Sequence, residues 1–95
     1  MDKSKLPKKW RFDDKTYKII WKKPRNAEGL CDSPKNNADE RCIYINPNGS
    51  NKEVALILLH EGLHASAFYL DEETVETVST DLLELLDKCG LLRED

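Results

Sequence analysis

His60 and His64 are the only two histidines in this 95-residue chain, and they stand four residues apart in the order His-Glu-Gly-Leu-His. On a helix that spacing puts both imidazoles on one face, about one turn apart, where two ring nitrogens can converge on a single metal ion. Glu61 then sits beside the metal rather than on it, placed to take a proton from a water that attacks a polarised carbonyl. Zinc suits such a set, because imidazole and carboxylate are among its usual donors and it lowers the pKa of a bound water to about 7. Chance produces this five-residue pattern in roughly one shuffled chain of this composition in five hundred. Histidines on an otherwise apolar helix need polar partners, and a metal site supplies them.

A catalytic zinc usually has three protein ligands and one open position. No third histidine exists, so the third ligand is expected to be a carboxylate on the helix that follows. If the two helices form a tight antiparallel hairpin turning near Leu70, His64 lies six residues before the turn and Glu76 six after, which places Glu76 level with the site. Glu73, one turn earlier on the same face, is the reserve; Asp71 and Glu72 stand close to the turn. Gly62 inside the helix costs about 1 kcal/mol relative to alanine, which points to close packing by the sheet at that position. The groups available to stabilise an oxyanion are Tyr44, Tyr69 and Arg41.

These residues need elements to hold them. Residues 16–21 are rich in β-formers, with Tyr17, Ile19 and Trp21 on one face. Pro24 and residues 26–29 mark a turn, 30–32 a short returning strand, and 33–40 a polar loop. Residues 41–46 form a second clear strand, with Ile43 and Ile45 on one face and Cys42 and Tyr44 on the other. The period then changes. Ser50 or Asn51 is the expected N-cap, with Glu53 three residues after Ser50 as in a capping box, and a helix follows over 54–69, so apolar in its first turns that it should be buried on most sides. Asp71 caps a second helix that runs to about Lys88, with Val75, Val78, Leu82, Leu85 and Leu86 as its apolar stripe and Gly90 as its stop. The order predicts an α+β fold: a small antiparallel sheet of about three strands followed by a two-helix hairpin. One domain is expected over 1–95, with residues 1–9 as a flexible basic arm.

The composition, 39% hydrophobic and 35% charged, is too apolar for a disordered chain and too charged for a membrane protein. Residues 1–53 carry 13 Lys/Arg against 8 Asp/Glu, a balance of +5, and residues 54–95 carry 2 against 10, a balance of −8. Charges of opposite sign on the outer faces of two layers explain this, and no aromatics interleave the lysines as a single-strand binder needs. Nucleic acid is therefore not an expected partner, nor is a membrane. Cys31, Cys42 and Cys89 form no CxxC pair, so reduced thiols in a cytoplasmic protein are expected. Cys31 and Cys42 could meet on adjacent strands and bridge under oxidising conditions.

The segment 56–86 resembles the zincin metallopeptidases, in particular the gluzincin branch with two histidines and one glutamate. The whole chain is similar to short HExxH proteins of phages and their bacterial hosts. The carrying residues are Leu58-Leu59-His60-Glu61-Gly62-Leu63-His64-Ala65 and the Val75-Glu76 helix through Leu86. The resemblance implies zinc held by His60, His64 and Glu76, Glu61 as general base, and a peptide or protein substrate lying along 42–46 as an edge strand. The interval from His64 to Glu76 is shorter than in full-sized gluzincins, and a second subdomain is not expected. The function expected is that of a zinc-dependent metallopeptidase. The alternative is a non-catalytic module stapled by zinc that acts by binding protein, since a domain this small gains much from a metal.

Overall fold

The computed structural model describes residues 5–33 and 41–93. The chain enters the sheet earlier than expected, through a hairpin of β1 (Lys9–Phe12) and β2 (Lys15–Ile20) that sets Trp10 opposite Tyr17. Asp13 and Asp14 join the strands with φ of 44° and 67°. A two-residue turn with both φ positive has the twist that paired strands need, and Asp tolerates that region better than most side chains. The expected flexible arm is thereby tied down in part: Ile19 N donates to Lys8 O at 2.9 Å, and Trp21 Nε1 donates to Pro7 O at 2.8 Å. Residues 1–4 lie outside the described residues.

Two further strands, β3 (Gly29–Cys31) and β4 (Cys42–Ile45), complete a four-stranded sheet in the order β1-β2-β4-β3. The sheet is mixed rather than a three-stranded antiparallel meander, because β4 runs parallel to β2 and inserts between it and β3. The parallel pairing aligns Ile19 with Ile43 and joins Tyr17 and Ile45 to them on one buried face. A parallel pair needs a long connection, and β3 with the polar loop forms it; 34–40 of that loop fall outside the described residues. Cys31 sits opposite Ile43, facing the core, whereas Cys42 shares the other face with Tyr44. The pleat therefore separates the two thiols, and the expected bridge is not available to them.

The helices follow the capping signals closely. In α1 (Asn51–Ser66) the Ser50 side chain accepts from Glu53 N, and Glu53 Oε1 accepts from Ser50 N. In α2 (Glu72–Lys88) Asp71 accepts from Thr74 N, and Gly90, with φ 77°, follows the C-cap Cys89 and stops the helix. The two run as an antiparallel hairpin, with Lys52 Nζ 3.1 Å from Asp87 Oδ2 at the far end. Layers stack as sheet, α1, α2: α1 packs on the sheet, and α2 packs on α1 through Val75, Ser79 and Leu83. No helix among the described residues is long and apolar enough to cross a membrane.

Candidate metal centre

His60 and His64 project from one face of α1 with ring centroids 5.0 Å apart. A single carboxylate meets both. Glu72 Oε1 lies 2.6 Å from His60 Nε2, and Glu72 Oε2 lies 2.8 Å from His64 Nε2. The structure thus brings Glu72, and not Glu76 or Glu73, to the two imidazoles. Glu76 and Glu73 instead border a shallow depression with Thr77, Thr80 and Asp81.

Two local features account for this. Ala67 leaves the helical region (φ −138°, ψ 64°), so α1 stops at Ser66 rather than near Tyr69, and the first turn of α2 comes level with the histidines. The face of α2 then points the carboxylate at α1. Glu72 stands three residues before Val75, seven before Ser79 and eleven before Leu83, which continues the stripe that α2 buries against α1. Glu76 lies one turn further along the same helix, past the level of the histidines, so height rather than rotation separates the two carboxylates.

The three groups fit a metal ion. One donor atom from each of His60, His64 and Glu72 lies within 4.8 Å of the other two. Tetrahedral zinc with bonds of about 2.0–2.1 Å separates its ligand atoms by about 3.4 Å, so side-chain rotations of an ångström or so complete the set. Two imidazole nitrogens and a carboxylate oxygen are donors that zinc accepts, and Glu72 ties α2 to α1 by its direct contacts with both imidazoles.

Glu61 is placed differently. It is only 8% exposed and lies under the cleft, against β3. Gly29 makes this possible: a Cβ there would come within 2.9 Å of Glu61 Cγ and Oε2 and 2.7 Å of Ile57 Cγ2. Burial raises the Glu61 pKa above its ordinary value, and the neighbouring His60 and His64 pull it back in part. The Cys31 thiol, on the same strand, is pushed up to about 12 by burial first and then by the Glu61 and Asp32 charges. Cys31 is thus a protonated thiol rather than a thiolate ligand.

The cleft is bounded by β3 on one side and by Phe68 and Leu70 of the α1–α2 turn on the other. The edge beside the histidines is therefore β3; residues 42–46, expected at an edge, lie mostly in β4, which is interior. Asp32 N donates to Cys42 O and Asn46 N donates to Glu28 O, both at 3.0 Å. In an antiparallel ladder the hydrogen-bonded residues alternate, so Gly29 and Cys31 turn their backbone groups to the open side. Among the groups expected to stabilise an oxyanion, Tyr44 shares the outer sheet face with Cys42, and Arg41 lies over the Tyr17 ring. Tyr69 stands between Phe68 and Leu70 and is largely exposed.

Comparison with known proteins gives no match to any protein-family model, and none of significance to curated proteins or solved structures. The functional reading rests on the geometry.

Proposed function

We propose that this chain is a cytoplasmic zinc-dependent metallopeptidase that hydrolyses peptide bonds, with His60, His64 and Glu72 holding the metal and Glu61 as general base. The observation that carries the reading is the convergence of three groups able to hold a metal beside a buried carboxylate, on an open strand edge. Zinc in such a set supplies Lewis acidity toward a carbonyl oxygen and toward water. The chain's own residues do the rest. Glu61, with its pKa raised by burial, holds a basic oxygen nearer neutral pH and receives the proton of the attacking water. The open backbone groups of Gly29 and Cys31 hold an extended peptide by strand addition, with its scissile carbonyl toward the histidines. Phe68 and Leu70 form the opposite wall and exclude water from the peptide.

The test is cleavage of a diverse peptide library by zinc-loaded wild type and Glu61→Gln. Loss of the base should cut turnover about 100-fold or more while zinc affinity stays within twofold. Equal activity of the two proteins would remove Glu61 from the chemistry. A second reading, a non-catalytic protein-binding module stapled by zinc, is favoured by one feature: the ligands come from both helices, so the ion would lock the hairpin. Zinc-dependent folding with no cleavage of any peptide would select it.

A further inference from the structure

The apolar character of α1 exceeds what the chain itself covers. On the side of α1 away from Glu61, an open groove of about 510 Å³ runs between the helices and the β1–β2 hairpin. Trp10, Trp21, Leu58, Gly62, Leu63 and Leu82 are among its walls. Trp10 is 57% exposed and Leu58 38%. On α2 the stripe expected to be buried is only partly so. Val75 is buried, together with Leu83 from outside that stripe, but Leu82 is 42% exposed and Leu85 is 61% exposed. Among the described residues, eight large hydrophobic residues are exposed against eight buried hydrophobic residues in the core. A domain of this size with so thin a core commonly gains its missing burial by association.

We propose that this groove is the interface of a homodimer, in which α2 of a second copy lays Leu82 and Leu85 into it. Charge complementarity selects a second copy over other occupants. Lys5, Lys8 and Lys22 adjoin the groove residues Leu6, Pro7 and Trp21 in sequence and are exposed, with no ion pair among the described residues. On α2, Asp81 and Glu84 flank Leu85 on its outer side, and both are exposed. An acidic amphipathic helix against a basic-rimmed apolar groove is a helix-in-groove contact, and this chain has both halves. Gly62 and Ser66 line the groove one turn apart, and neither carries a bulky side chain. Leu82 borders its own groove while exposed to the neighbour, so the twofold axis passes near it and the contact is self-complementary. A stable interface takes about 800 Å² from each partner, about an eighth of the 6658 Å² surface of the chain.

Sedimentation equilibrium on the full chain from about 1 to 500 µM tests this, with the fluorescence of Trp10 and Trp21, the only tryptophans, followed over the same range. The expected result is a dimer of twice the 11.0 kDa chain mass, with a spectral shift as it forms and weakening by added salt. Leu85→Asp, at an exposed position that folding does not need, should raise the dissociation constant at least tenfold. Charge reversals add a test that misfolding cannot imitate. Lys5→Glu with Lys8→Glu in one chain, and Asp81→Lys with Glu84→Lys in another, should each weaken self-association. An equimolar mixture should restore it, because each groove then meets a helix of opposite charge. A monomer at every concentration, a dimer indifferent to Leu85→Asp, or no rescue in the mixture would overturn the proposal.

Discussion

Gly29→Ala and Gly62→Ala should move stability in opposite directions, and the contrast tests where the sheet approaches α1. At Gly29 the added methyl would lie 2.7 Å from Ile57 Cγ2 and 2.9 Å from Glu61 Cγ and Oε2. Ordinary carbon contacts are about 3.5–4.0 Å, so three atoms on α1 must move by about 1 Å or the strand must retreat. Overpacking of this kind costs about 1–3 kcal/mol, offset by about 0.4–1 kcal/mol from the stiffer unfolded chain. The net loss is about 1–2 kcal/mol, or about 5–15 °C in Tm for a domain of this length. At Gly62 a methyl would meet only Phe12 Cε1, at 3.6 Å. That is ordinary contact, so the close packing expected there from the sequence is absent, and the helix should gain about 0.5–1 kcal/mol. Thermal and urea unfolding of the metal-free proteins, at a concentration too low for self-association to contribute, measures both. Gly29→Ala should also slow peptide cleavage by displacing Glu61, with zinc affinity retained because His60, His64 and Glu72 are untouched. A neutral Gly29→Ala with a destabilising Gly62→Ala would refute the packing described here.

The protein should bind one zinc per chain, with His60→Ala or His64→Ala abolishing binding in a chelator-competition titration. Glu72→Ala should weaken it at least tenfold, and Glu76→Ala should leave it within twofold; the reverse order would reinstate Glu76 as the ligand. Zinc at 100 times its dissociation constant should add about 2.7 kcal/mol to stability, and chelation should remove it. In the metal-free protein, burial raises the folded-state pKa of Glu61 above its unfolded value, so its contribution is fully present below the unfolded pKa and is lost as pH rises through the folded one. Glu61→Gln should therefore flatten the decline in stability from about pH 4 upward and leave the metal-free variant more stable than wild type at pH 7. Parallel pH curves for the two proteins would contradict the buried position of Glu61.

Much of the fold was legible because its signals are local. Ser50 with Glu53, Asp71 and Gly90 each act within one turn of chain, and each occurs in the structure in its expected role. The alternation of Ile43 and Ile45 against Cys42 and Tyr44 likewise survives, since a pleat is a property of consecutive residues. Strand β1 was hidden because its turn is Asp-Asp, a weaker signal than Asn-Gly or Asp-Gly. The sheet order was hidden because nothing in the residues of β4 states which neighbour it takes. Val-, Ile- and Tyr-rich strands suit a parallel partner as well as an antiparallel one.

The site divides along the same line. The placement of His60, Glu61 and His64 on one helix follows from spacing alone, and the structure places them as that spacing requires. The carboxylate that meets them does not, because it belongs to another element and its height depends on where the first helix ends. A hairpin turning near Leu70 sets Glu72 too close to the turn, whereas α1 stops at Ser66 and brings Glu72 level with the histidines. The expected apolar stripe on α2 runs through Val78, Leu82 and Leu85, and both of these leucines are left exposed. The sequence pattern therefore held two stripes on α2, one for α1 and one unspent within the chain, and the second is what a partner helix would bury.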